Sequence, residues 1–144
     1  MLDLDTSKQL SQYLELLEND IVIKLSLDSG TVSKEMQDFV NDIASLSERI
    51  TVETANLPRT PSFSINRKDR DFGVVFAGIP LGHEFSSLVL ALLQVSGRAP
   101  KVEKSIIDQI KNINKKLEFT TYVSLTCHNC PDVVQTLNMM SVIN

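Results

Sequence analysis

Residues Phe119 to Met140 read FTTYVSLTCHNCPDVVQTLNMM, and this stretch decides the fold. Phe119, Thr121, Val123 and Leu125 alternate with Thr120, Tyr122, Ser124 and Thr126, which predicts a period-two strand. It runs directly into Cys127-His128-Asn129-Cys130-Pro131-Asp132, after which Val133, Val134, Leu137 and Met140 take up helical spacing. The cysteines are therefore expected where a strand ends and a helix begins. Free backbone N–H groups and the positive end of the helix dipole there stabilise a thiolate, the species that attacks disulfides. Pro131 fits the first turn, where the missing donor would lack an intrahelical partner anyway. In this context C-x-x-C reads as a redox pair.

Two other readings of the pair stand beside it. C-x-x-C is half of many zinc sites, but a structural site needs four ligands. The chain has two cysteines and two histidines, and His128, lying between the cysteines, is poorly placed for the same metal. A structural disulfide across four residues would close almost no loop and so remove little unfolded-state entropy.

The 144 residues suit one domain, or one small unit and part of a second. With 42% hydrophobic and 22% charged residues the composition is that of a soluble globular chain with a core. Eighteen acidic and 14 basic residues leave a net charge of -4, and no basic-aromatic cluster is present, so nucleic acid is not an expected partner. The acidic start MLDLD and the lack of a long apolar run predict no signal peptide and no membrane span. Two cysteines without an export signal point to the reducing cytoplasm, where a disulfide is usually transient and catalytic.

Upstream, Thr6 or Ser7 is expected to cap a first helix with apolar positions Leu10, Tyr13, Leu14 and Leu17. Ile21 to Leu27 reads as a strand buried on both faces, and Asp28-Ser29-Gly30-Thr31 as a turn. Ser33 is the expected cap of a helix carrying Met36, Phe39, Val40, Ile43 and Leu46 on one face. Ile50 to Thr54 is a second strand, completing a βαβ unit with a parallel pair. Pro61 precedes a short alternating strand, the position of a cis-proline in a thioredoxin-type fold. A hairpin returns through Phe72 to Ala77, and Phe85 to Val95, apolar nearly all round, should be the most buried helix, ended by Gly97.

The first hundred residues thus form a cysteine-free thioredoxin-like unit, in which Ser26 to Thr31 occupies the turn where C-x-x-C would sit. After the polar linker at Arg98 to Lys101, Val102, Ile106, Ile107, Ile110 and Ile113 mark another amphipathic helix ahead of the strand at Phe119. The order helix, strand, helix begins again, so the fold class is α/β with an internal repeat. The expected division is residues 1–98 for the first unit and 99–144 for the start of a second, which carries the cysteines.

Ala77-Gly78-Ile79-Pro80-Leu81-Gly82-His83-Glu84-Phe85 and Ser124 to Val134 together resemble the N-terminal region of the flavoprotein subunit of bacterial alkyl hydroperoxide reductase, across the whole chain. The resemblance implies electron transfer from a C-terminal FAD- and NADH-binding part to a partner peroxiredoxin. It implies Cys127 as the outer nucleophile and Cys130 as the resolving thiol. Glu84, His128 and Pro61 are modulating candidates by position: His128 reads either as a positive charge beside Cys127 when protonated or as a solvated turn residue, and Pro61 as the cis-proline of the first unit. Glu84 reads either as a first-turn acid favoured by the helix dipole or as a carboxylate brought near Cys127. The family's second unit continues through a further strand, a cis-proline hairpin and a last helix, whereas this sequence stops 14 residues after Cys130. The strand at Phe119 to Leu125 is accordingly expected to expose an unpaired edge, through which two copies could associate. A non-catalytic docking module and a zinc-binding module are the alternatives from other functional classes.

Overall fold

The computed structural model describes residues 2–144. Asp3 caps α1 (Leu4–Leu14): its carboxylate accepts the Thr6 N–H at 2.7 Å, and that bond holds it below the usual carboxylate range. The helix begins ahead of the expected Thr6 or Ser7 cap because the Asp3 side chain already satisfies a free first-turn donor. Leu10, Leu14 and Leu17 are buried as the spacing requires, whereas Tyr13 is half exposed.

Strand β1 (Ile21–Ser26) is an inner strand, buried along nearly its whole length. Helix α2 (Thr31–Ser45) follows, and β2 (Ile50–Thr54) pairs with β1 in parallel, Ile21 opposite Ile50. Ser33 does not cap α2. Gly30 holds that position, and Ser33 is buried, its hydroxyl donating to the Asp28 carboxylate at 2.8 Å. Strands β3 (Ser62–Arg67) and β4 (Arg70–Phe76) form the hairpin, giving one sheet of order β2-β1-β3-β4 in which β3 and β4 run antiparallel. A 3-10 turn at Gly82–Glu84 leads into α3 (Phe85–Ser96). Eight of the twelve α3 residues are buried, more than in any other described helix, and Gly97 ends it at φ 121°, a conformation that costs glycine little. Leu88 and Leu92 of α3 join Phe39, Ile23, Phe63 and Ile65 in one core. This is the α/β, thioredoxin-like arrangement expected from the sequence.

All four described strands lie before residue 98. Beyond them stand α4 (Lys104–Lys111) and α5 (Cys130–Ile143). Only Ile110 of α4 is buried, and Ile106 faces solvent. Helix α5 lies against α3 and β4, where the Ser141 hydroxyl bonds the Phe72 carbonyl beside Gly73.

The strand expected at Phe119 to Thr126 is absent. These residues pair with no strand, and Phe119 and Tyr122 are exposed. Alternation selects a face, but a strand also needs a neighbour to share its ladder, and no described strand pairs with this segment. The strand edge expected there for self-association is accordingly not formed.

Candidate functional site

Cys127 and Cys130 form a disulfide, with Cα atoms 5.5 Å apart. Cys130 is the first residue of α5, and Pro131 occupies its first turn, where the lack of an N–H removes no helical bond. The Cys130 N–H donates to Cys127 Sγ at 3.2 Å. Cys127 Sγ therefore accepts a donor at the positive end of a 14-residue helix, an environment of the kind that favours a thiolate. Behind it, the Cys127 N–H donates to the Ser124 carbonyl at 3.0 Å, closing a turn.

The cysteine-free half meets this loop through the 3-10 turn. The His83 N–H donates to the Leu125 carbonyl at 3.0 Å, and the His83 and His128 rings stand 4.5 Å apart, tilted by 58°. Gly82, at φ 57°, packs so closely that an added Cβ would fall 2.7 Å from the Leu125 carbonyl oxygen.

Glu84 is buried. Its Oε1 accepts the Ser87 hydroxyl at 2.8 Å, and its Oε2 has no partner among the described residues. The Gln135 amide of α5 reaches across to the Ser86 and Ser87 oxygens, each at 3.2 Å. A hydrogen-bonded line thus runs from the disulfide-bearing helix through Ser87 to the buried carboxylate. Among the described residues no three His, Cys, Asp or Glu side chains are grouped so as to hold a metal.

Pro61 belongs to the other turn. The Thr60–Pro61 bond is cis, and the Thr60 hydroxyl lies 2.7 Å from that of Ser26 at the end of β1. The Leu57 N–H also reaches Ser26 Oγ, at 3.3 Å. Asp28 closes this turn by accepting the Gly30 N–H and the Ser33 hydroxyl, bonds that hold its carboxyl below the usual range, the Gly30 N–H most strongly. Hydroxyls and a carboxylate fill the place that cysteines would take, so no thiol chemistry can run there.

No protein-family model matches the sequence. The chain is 31% identical to the N-terminal NTD_N/C domain of alkyl hydroperoxide reductase AhpF from Enterococcus faecalis, with a TM-score of 0.87 over 100% of this chain and 76% of that one. The chain belongs to the AhpF family of alkyl hydroperoxide reductases. Within that family it is 58% identical, over all 144 residues, to the AhpF of Staphylococcus epidermidis. It is 61% identical to a Bacillus subtilis protein named NADH dehydrogenase. The chain spans 28% of the length of each of these two relatives. A protein disulfide oxidoreductase from Aeropyrum pernix, at 17% identity and a TM-score of 0.83, shares the fold.

In this AhpF-family domain, several side chains that join the cysteine-bearing segment to the cysteine-free half are ones that sequence reading passes over. Gln135 looks like a wet helix position, and Ser86 and Ser87 like fillers in an apolar helix; their pairing across 48 and 49 positions carries no periodic signal. His83 reads as a helix-start residue until its ring is found against His128.

Proposed function

We propose that this chain is the dithiol/disulfide electron-transfer module of an AhpF-type alkyl hydroperoxide reductase. In this reading it takes electrons from an FAD- and NADH-binding part outside this sequence and passes them to the disulfide of a peroxiredoxin. The observation that carries the reading is the Cys127–Cys130 disulfide at the start of α5, with the Cys130 N–H aimed at Cys127 Sγ. Residues 1–98 act as the scaffold and residues 99–144 as the redox-bearing segment.

In the reduced chain the Cys127 thiolate attacks one sulfur of the peroxiredoxin disulfide. A mixed disulfide forms, and the partner's other sulfur leaves as a thiolate, which takes up a proton. The Cys130 thiol then loses its proton and attacks Cys127 Sγ, releasing the second peroxiredoxin thiolate. Two electrons have moved, and Cys127–Cys130 is oxidised again. Cys127 is the attacking sulfur because it receives the helix-start donor, while Cys130 is held within the helix itself. His128, next in sequence to Cys127, and Glu84, linked to α5 through Ser87 and Gln135, modulate the thiolate. Pro61 serves the cysteine-free turn of Ser26 rather than the sulfurs. An FAD- and NADH-binding C-terminal part would supply the reducing equivalents.

The test uses the chain reduced with dithiothreitol and freed of reductant, then mixed with an oxidised peroxiredoxin. One peroxiredoxin disulfide should be lost per Cys127–Cys130 formed, and Cys130→Ser should accumulate the mixed disulfide through Cys127. A reduced chain that leaves the peroxiredoxin disulfide intact, with no adduct in Cys130→Ser, sinks the proposal and leaves a docking role.

A further inference from the structure

We infer that Gly82 and His83, from the cysteine-free half, are positioning residues that hold the Cys127 loop in the geometry for closing the disulfide. Cys130 is fixed by α5, but Cys127 follows a segment that has no ladder to hold it. Three contacts converge on residues 125–128, and all come from Gly82 and His83. The His83 N–H bonds the Leu125 carbonyl, the His83 ring lies against the His128 ring, and Gly82 lets the two backbones approach. Any other residue at 82 meets two obstacles at once, a positive φ and a Cβ 2.7 Å from the Leu125 oxygen. A loop immobilised before the bond closes loses less conformational freedom on closing it, so the contacts favour the disulfide over the dithiol.

This inference rests on the redox reading for its biological meaning, while its test reads the disulfide itself. The oxidised chain is equilibrated anaerobically with dithiothreitol: two electrons and two protons pass to the protein, giving two thiols, and one dithiothreitol closes to its cyclic disulfide. Gly82→Ala should move the equilibrium about fivefold toward the dithiol, about 20 mV for a two-electron couple. Amide exchange at 125–128 should rise in that variant while β1 stays protected. His83→Ala should move the equilibrium about twofold in the same direction and shift the His128 ring proton resonances, and His83→Phe, which restores a ring, should return the equilibrium to the parent value. The inference is overturned if Gly82→Ala frees the loop without moving the equilibrium, or leaves loop exchange as in the parent. Should Gly82→Ala open β1 as well, the histidine pair decides, and equal constants for His83→Ala and His83→Phe overturn it. A parent chain that fails to reduce peroxiredoxin sinks the proposed function and leaves these constants untouched.

Discussion

Replacing Ser87 by Ala isolates the polar link between the two halves of the chain. Ser87 is 1% exposed; its hydroxyl donates to Glu84 Oε1 at 2.8 Å and accepts from the Gln135 amide at 3.2 Å. Because Oε2 already lacks a partner among the described residues, the substitution leaves a carboxyl group that is 2% exposed without any hydrogen-bond donor. Removing one partner so that a buried donor or acceptor is stranded costs about 1–3 kcal/mol. The alanine side chain itself fits, since only one oxygen is removed, and Gln135 keeps its bond to Ser86. A loss of about 2–3 kcal/mol is therefore expected, read by urea unfolding. With a slope of about 2 kcal/mol per molar, the midpoint should fall by about 1–1.5 M. Ser86→Ala is the control: Ser86 is exposed and its own donor bond to the His83 carbonyl is long, at 3.5 Å, so the change should stay within about 0.5 kcal/mol. A Ser87→Ala loss no larger than that of Ser86→Ala would refute the idea that Ser87 is what satisfies the buried carboxyl.

Four further outcomes are expected. In the reduced chain at mildly acidic pH, iodoacetamide should label Cys127 before Cys130, because only Cys127 Sγ receives the helix-start N–H; equal labelling in peptide mapping would remove the nucleophile assignment. Glu84→Gln should move the pH profile of Cys127 alkylation to lower pH by replacing the carboxyl group joined to α5 through Ser87 and Gln135 with an amide that cannot ionise, and an unchanged profile would take Glu84 off the site. Amide exchange should be fast over residues 117–124 and slow over Ile21 to Ser26, whose strand is bonded on both sides; uniform protection of the two would contradict the structure. Asp28 is held below the usual carboxylate range in the folded chain, so its contribution is complete above the unfolded value of about 3.9 and is lost as pH falls through the lower folded value. Asp28→Asn should flatten the acid limb of stability against pH below about pH 4, and an acid limb identical to the parent's would show that the Gly30 and Ser33 bonds contribute nothing.

Elements governed by local chemistry are legible in the chain alone. The β-branched run at Ile21, the helical spacing of Met36, Phe39, Val40 and Ile43, the apolar α3 and the glycine after it all recur in the structure at the positions their patterns mark. Pro131 and the spacing that follows it place the cysteines at a helix start, because caps and first-turn residues act within a few positions of themselves. Two caps escape such reading for the same local reason: Asp3 and Gly30 compete with nearby Thr6 and Ser33, and only the folded chain shows that Ser33 is drawn inward to Asp28. Phe119 to Thr126 has the alternation of a strand, yet strand formation is a property of a pair of segments, and the tertiary structure supplies no partner there. The site is settled at the same level. His83 meets His128, and Gln135 meets Ser87, across 45 and 48 positions of chain, through contacts that have no period and no propensity to announce them. The 3-10 turn against the Cys127 loop and the packing of α5 on α3 bring those side chains together, so the fold decides which residues join the cysteine-bearing segment to the rest, although the cysteines themselves are legible from the start.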